Sequence, residues 1–324
     1  MDETEEVPDS KDGVFGKWKL HFDATTHRYT IRDRQTDELV DTGGIRSTTE
    51  YASSMFSAFN PDDALQVMRS TTRTQRYTGL TDDEIKAFWK GNGRHAADLG
   101  TLAHAYMERC MNMEMETPGS LFGKEIDAYP EPPQPRCEDY AAISQIIPEQ
   151  LRDTSGIAIR RETPVAFFKY VKCLGYKPLY AELMMYDHEM CISGTVDAVF
   201  QHGETGDVWI VDWKRRKEFK LPDVYSVKGT FGTPAESLFS SHYSMACLQL
   251  NIYRGIILRS SILGAAKVVR LSIVSIHPML VDTPADAMDK SLTSGQHTPE
   301  LYSLHDIPID DLLVNAIVVH RRSR

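Results

Sequence analysis

ISGTVDAVFQHGETGDVWIVDWKRRKEF, residues 192–219, decides the fold, because it reads as two apolar strands joined by a polar, Gly-containing turn. Side chains alternate faces along a strand, so Asp212 and Lys214 project to one side of Val208–Lys214, and Thr195, Asp197 and Val199 share a face on the preceding strand. Any modest turn then brings Asp197 near Asp212. One strand earlier, AELMMYD puts Glu182 on a face with Met184 and Tyr186 and carries a third carboxylate toward the same patch. Three crowded acids repel, and unpaired buried charge is costly, so the pattern calls for a cation. Oxygen ligands suit Mg2+, with Mn2+ as its substitute, rather than zinc. Lys214, two residues from a ligand, is placed to orient or help deprotonate an attacking water and to offset charge on a phosphate. That combination is the chemistry of phosphodiester hydrolysis.

Outward from this hairpin the chain is ordinary in composition: 324 residues, 41% hydrophobic and 25% charged. A net charge of −10 excludes indiscriminate polyanion binding by the whole surface, so a nucleic-acid site must be local. Cys110, Cys137, Cys173, Cys191 and Cys247 show no C-x-x-C spacing, which argues against a zinc ribbon, an iron–sulfur cluster and a secreted disulfide framework. The expected setting is soluble and intracellular, with no recognisable presequence; nuclear, cytoplasmic and organellar locations stay open. No apolar run reaches the length of a membrane span.

Residues 1–13 read as a disordered acidic tail, and KWKLHFDATTHRYTIRDRQTDELVD as a small antiparallel hairpin. Ser47 to about Cys110 is helical. Thr81–Glu84 is a capping box that starts one helix, and a second should run from about Arg94 to Met111. TPGSLFGKEIDAYPEPPQPRCED is a Pro- and Gly-rich excursion whose glycines fail the phosphate-loop pattern, so no nucleotide cofactor is expected. YAAISQIIPEQL should be a helix; TPVAFFKY, AELMMYD, CISGTVDAVF and DVWIVDWK should be strands. HYSMACLQLNIYRGIILRSSI is a helix, VVRLSIVSIHP a buried strand, residues 283–305 a polar loop, and IPIDDLLVNAIVVHRR a closing amphipathic helix.

An isolated D-x-K is most often a surface ion pair of little worth. Here it follows an apolar run, has an Asp at the matching position of the preceding strand, and is followed by a helix carrying Gln249 and Tyr253 at i,i+4. G-T-V-D, V-D-W-K and Q-L-N-I-Y, in this order, resemble the PD-(D/E)XK nuclease superfamily, in its RecB-like and mitochondrial-genome-maintenance-exonuclease-like branch. Gly100–Glu108 (GTLAHAYME) resembles that branch's upstream helix. The resemblance implies an α/β fold, a restriction-endonuclease-like central mixed sheet flanked by helices, with an N-terminal helical elaboration. It implies a single nuclease domain over 14–280, divided into an N-terminal part (14–175) and a catalytic core (176–280), with 281–324 as a C-terminal loop and helix.

Carried over residue by residue, the resemblance implies that Asp197, Asp212 and the Trp213 carbonyl bind metal, with His104 as a ligand from the helix. It makes Lys214 the catalytic lysine, has Gln249 and Tyr253 line the site, and gives Glu182 a second metal or a water. A helix histidine capped by Glu108 at i,i+4 is the competing reading of His104. Lys214–Lys217, which includes Arg215 and Arg216, is the densest basic cluster: a solvated turn or a phosphate contact. Arg69, Arg73, Arg76 and Tyr77 form a candidate clamp for unpaired bases. Ser47, Thr48 and Thr49 match a serine/threonine stretch of the branch, and Arg94, His95 and Thr101 lie along the His104 helix within reach of substrate.

The implied activity is Mg2+-dependent DNA exonuclease action on single strands or duplex ends, in replication, repair or recombination. A structure-specific endonuclease shares the same core. A catalytically silent DNA-binding scaffold on this fold is the rival from another class.

Overall fold

The structure is a computed structural model that describes residues 10–40, 44–70, 77–116, 130–133, 158–216, 227–260, 262–277 and 301–322. The hairpin forms as its alternation requires: a long strand Tyr176–Asp187 (β5), then Ile192–His202 (β6) and Val208–Lys214 (β7), run as an antiparallel meander. A helix, His242–Ser260 (α5), crosses over to Val268–Ser275 (β8), which pairs parallel with β7. A parallel pair cannot be closed by a tight turn, so this helical crossover is what that arrangement demands.

β5 occupies one edge of β6 along its whole length, so the short strand Arg46–Ser47 (β4) and β7 must share the other edge. β4 pairs with Ile192 and Ser193, and β7 pairs only from Ala198 onward. The stretch Gly194–Asp197 between them has no strand partner on that edge, and its last residue, Asp197, belongs to the site. The sheet is completed by Ser303–Ile307 (β9), antiparallel to β8. Its strands thus come from well outside residues 176–280.

Helices cover both faces of this mixed sheet. Val199, Val208, Ile210, Leu271 and Ile273 pack with α5, with the helix Thr48–Ser53 (α1) and with the closing helix Asp311–Arg322 (α6). Phe200, Trp209, Val211 and Trp213 pack on the opposite face against the 35-residue helix Asp82–Glu116 (α3) and Glu162–Cys173 (α4). The short helix Pro61–Arg69 (α2) makes a small separate core with α3 through Leu65, Met68 and Ile85.

Four expectations need correction. Residues 10–13 are not tail: Ser10–Phe15 (β1) joins Trp18–Asp23 (β2) and Arg28–Asp33 (β3) in a three-stranded antiparallel sheet, fixed by Phe15, Leu20 and Ile31 buried in the main core. The helix proposed to restart at Arg94 is continuous from Asp82. Gly91 and Gly93 lie inside it; each costs about 1 kcal/mol relative to Ala, offset by burial of Phe88 before them and Leu99 after. TPVAFFKY is helical within α4: Thr163–Phe168 are all buried, more than a full turn without a polar break, so the local pattern does not show the helical period that Lys169 and Lys172 set further on. The polar loop 283–305 ends in β9, an edge strand whose apolar content is only Leu304 and Ile307.

The capping box stands: Glu84 accepts from Thr81 N at 2.7 Å and Thr81 Oγ1 accepts from Glu84 N at 3.3 Å. Residues 1–9 and the helix YAAISQIIPEQL lie outside the described residues.

Candidate metal centre and hydrolytic site

The β6–β7 ladder stops at Ala198–Val211. One residue further, in the same register, Asp197 faces Asp212, and the Asp197 carboxylate takes the place of a backbone acceptor: Oδ2 receives the Trp213 N–H at 2.6 Å. On the other side of β6, Glu182 stands opposite Asp197 in the β5–β6 register, between the pairs Ala181–Ala198 and Leu183–Val196. Its φ is +47°, in the left-handed region. A non-glycine residue there within a strand is strained by about 1–2 kcal/mol, and such strain collects where a side chain must be re-aimed.

α3 supplies the third group. His104 Nδ1 lies 3.4 Å from Asp197 Oδ2. Ligand atoms of His104, Glu182 and Asp197 all lie within 4.8 Å of one another, the one such group of three among the described residues. Asp212 stands outside that group, turned to Lys214 Nζ at 2.5 Å and to the Gln249 amide, which donates to Oδ1 at 3.1 Å. Gln249 Nε2 also donates to Tyr253 OH at 2.9 Å. The Lys214 ammonium is the partner of Asp212 Oδ2, which is otherwise buried. The Asp212 side chain is 1% exposed, whereas those of Lys214 and His104 are 27% and 28% exposed. Asp212 is therefore the floor of the site, and the lysine and histidine its mouth.

Sequence reading missed Lys11. From β1 its ammonium bridges Glu108 at 2.7 Å and Glu182 at 3.4 Å. Glu108 is thereby engaged with Lys11, and His104 faces Asp197. The cluster is therefore not bare acid: two ammoniums and an imidazole stand among Glu182, Asp197 and Asp212. Repulsion among the acids is therefore relieved in part by the chain's own counter-charges.

The electrostatics follow from burial and these contacts. Burial pushes Asp212 up to about 6 against the pull of Lys214, and burial with the Asp197 charge pushes Glu182 up to about 7. Burial acts to raise Asp197 too, but His104, Lys214 and the Trp213 N–H together hold it below the usual carboxylate range. Burial disfavours the charged imidazole of His104, yet Asp197 outweighs it and leaves the pKa raised. Lys214 is likewise raised, its burial overcome by Asp212 and Asp197.

These donors fit a divalent cation: two carboxylates and an imidazole converge, and the buried Asp212 carboxylate lies beside them. The imidazole shifts the fit toward Mn2+, since Mg2+ prefers an all-oxygen shell.

Other expected contacts are distributed differently. Ser47 Oγ caps α1 by accepting from Glu50 N at 3.1 Å, and Thr48 Oγ1 donates to Ser193 O at 3.0 Å. A Cβ at Gly194 would meet Thr48 Oγ1 at 2.5 Å and Tyr253 Cε1 at 2.6 Å, so this glycine serves close packing. The Thr48 hydroxyl proton is thus spent on the fold, while Ser47 Oγ serves the cap as acceptor and keeps its O–H. Arg69 is paired with Asp82 at 2.7 Å, and Tyr77 OH accepts from Trp89 Nε1 at 3.1 Å within the small core. Arg73, Arg76 and Lys217 lie outside the described residues.

Arg215 Nε donates to Ala158 O at 2.8 Å, away from the acids. Arg216 meets His242 at 2.7 Å and stays within the field of Asp212. Arg94 and Thr101 are exposed on α3, with Thr101 Oγ1 bonded back to Ala97 O at 3.2 Å. Above Gly100, one turn before His104, a Cβ would meet nothing within 4 Å, which leaves the helix surface open there.

Fold and site together define an α/β protein with a mixed sheet flanked by helices and an acid–histidine–lysine cluster at the gap in its central strands. Neither a scan of protein-family models nor a search of curated proteins finds a match to this chain. Among the described residues no helix is long and apolar enough to cross a membrane, and Cys110, Cys173, Cys191 and Cys247 are free thiols.

Proposed function

We propose that the protein is a divalent-cation-dependent phosphodiester hydrolase acting on DNA as an exonuclease, in a restriction-endonuclease-like core. The observation that carries this reading is the convergence of His104, Glu182 and Asp197 within 4.8 Å, next to the Asp212–Lys214 pair. The succession of helix, three-stranded antiparallel meander, helix crossover and parallel strand supports the same core. DNA as substrate, and ends rather than internal bonds, rest on the resemblance of the motifs.

In this reading His104, Glu182 and Asp197 hold Mg2+ or Mn2+, with Asp212 beside them. The bound ion supplies Lewis acidity toward the phosphate and a lowered pKa for water. Lys214 is held by Asp212 with its ammonium at the mouth, where it orients the water or offsets charge gathering on the phosphate oxygens. Gln249 fixes Asp212 from the α5 side and is itself fixed by Tyr253 OH, so the floor does not turn away.

Lys11 favours a second reading, an internally neutralised ion network with no catalytic role, since the acids have counter-charges without any metal. End-labelled single- and double-stranded oligonucleotides incubated with Mg2+, Mn2+ or chelator separate the two. Hydrolysis sends release of labelled nucleotide up with the cation and abolishes it in Asp197→Asn. A folded protein that leaves every substrate intact in Mn2+ establishes the network reading. A closed circular substrate that is also cut turns the exonuclease into an endonuclease.

A further inference from the structure

A cavity of about 580 Å³ lies beside β4 at the far end of β6, lined among others by Arg46, Tyr51, Thr230, Thr233, His320 and Arg321. Cys191 also lines it. Asp197 is six residues further along, about 20 Å at the rise of a strand. The cavity is therefore separate from the acid cluster.

Of its two guanidiniums, Arg321 meets only carbonyls and the Tyr51 ring among the described residues, and Arg46 has a carboxylate only at the 4.0 Å limit of an ion pair. Arg321 donates to the Met190, Gly44 and Cys191 carbonyls at 2.6, 2.8 and 3.4 Å, and among the described residues it has no carboxylate partner. Arg46 meets only Ser54 Oγ at 3.4 Å and, at 4.0 Å, the Glu50 carboxylate, whose side chain is 63% exposed. Neutral carbonyls satisfy hydrogen bonds without removing charge, so Arg321 is held rigidly and stays an anion receptor.

The second observation lies between the two threonines of the lining. Phe231, in the turn Gly229–Thr233, is 93% exposed, the most exposed large apolar side chain described. The turn beneath it is braced. Thr230 N donates to Met55 O at 2.7 Å, Gly229 N to Leu238 O at 2.8 Å, and Gly232 N, at φ +76°, to Glu236 Oε2 at 2.8 Å. An aromatic ring held out to solvent by a rigid turn, whose Thr230 and Thr233 line the cationic cavity, offers a stacking platform at little cost in conformational entropy.

We propose that this is a nucleotide site, with a phosphate between Arg46 and Arg321 and the attached base stacked on Phe231. It deepens the hydrolase reading, on which it rests for the strand as the source of that nucleotide: the strand cut at the acid cluster is the one held here.

The test uses the full chain in chelator, titrated with inorganic phosphate, a deoxynucleoside 5′-monophosphate and a single-stranded deoxyoligonucleotide, comparing wild type with Arg46→Gln and Phe231→Ser. Both side chains lie outside the core, so the variants keep the fold. Each should weaken the mononucleotide and the oligonucleotide by about tenfold, and inorganic phosphate should be weakened by Arg46→Gln alone, having no base. An oligonucleotide held at least tenfold tighter than the mononucleotide makes the strand the ligand; equal affinity makes it a free nucleotide.

Wild-type affinity retained in both variants, or no binding of any probe, overturns the proposal. Asp197→Asn separates the two readings. If it binds nucleotide with the same dependence on Arg46 and Phe231 while even the wild type cleaves nothing in Mn2+, the hydrolase reading falls and the nucleotide site stands. Cleavage by the wild type without that dependence gives the converse.

Discussion

The site has two halves of different origin. Asp197, Asp212 and Lys214 sit on one hairpin, their mutual placement fixed by the β6–β7 register. Lys11 and His104 are imported, from a strand in a second sheet and from the middle of a long helix. In the hairpin half geometry is local, and a side chain's neighbours are given by the alternation of faces. In the imported half geometry is a product of tertiary packing, and its members are matched to the acids over 97 and 171 residues in the case of Lys11. The hairpin half should therefore govern chemistry and the imported half the electrostatic balance that lets the acids coexist.

Lys214→Arg tests the first part and should have the largest effect. It keeps a positive charge beside Asp212, and so the fold, but replaces a compact ammonium with a planar, permanently charged fork. Cleavage in Mn2+ should fall about 1000-fold, while the urea midpoint stays close to wild type. Wild-type turnover would remove the lysine from the mechanism.

A control is needed for what burial alone does to an acid, and α3 provides it. Glu114 is 2% exposed, both its oxygens lack a hydrogen-bond partner, and burial pushes its pKa up to about 7, opposed only by Lys172. Its folded pKa is above the unfolded one, so the folded state binds the extra proton. The stability this gives is complete below about pH 4.5 and is lost as pH rises to about 7. Over that window the wild type should lose up to roughly 3 kcal/mol relative to Glu114→Gln, read from urea unfolding at each pH. Parallel curves for the two proteins would show that Glu114 is not held protonated.

Lys11→Met sharpens the contrast from the other side. Removing the ammonium leaves Glu182 and Glu108 facing each other, and the metal-free protein should lose about 2 kcal/mol. Added Mn2+ should restore part of that loss and bind several-fold tighter than to the wild type, as measured by calorimetry, because it no longer competes with a tethered cation. Unchanged Mn2+ affinity would mean that Lys11 and the ion do not share the site.

The same division explains what was legible in the chain. The D-x-K pair and its partner Asp197 could be read because strand period and a short turn leave few alternatives. α5, with Gln249 over Asp212, followed from helical spacing. Lys11 was hidden because Ser10–Gly13 is polar and acidic in its surroundings, and nothing local signals that Phe15 and Leu20 pin it to β5. α4 reads as a strand because its six buried residues Thr163–Phe168 run without a break, and the polar side chains Lys169 and Lys172 come only after them. Of the residues expected to touch nucleic acid, Ser47, Thr48 and Arg69 also make caps and ties of the fold, a use that composition does not distinguish from phosphate contact.

α3 is a single rod of 35 residues, about 50 Å long at 1.5 Å per residue. It begins in the small core with α2, passes His104 to the acids at its middle, and ends under α4. No cut through it yields a self-sufficient fragment. A piece trimmed to residues 176–280 keeps four strands and the three carboxylates of the site but forfeits Lys11, His104 and the strand pairing of β4 and β9, and so would present like charges at two frayed sheet margins.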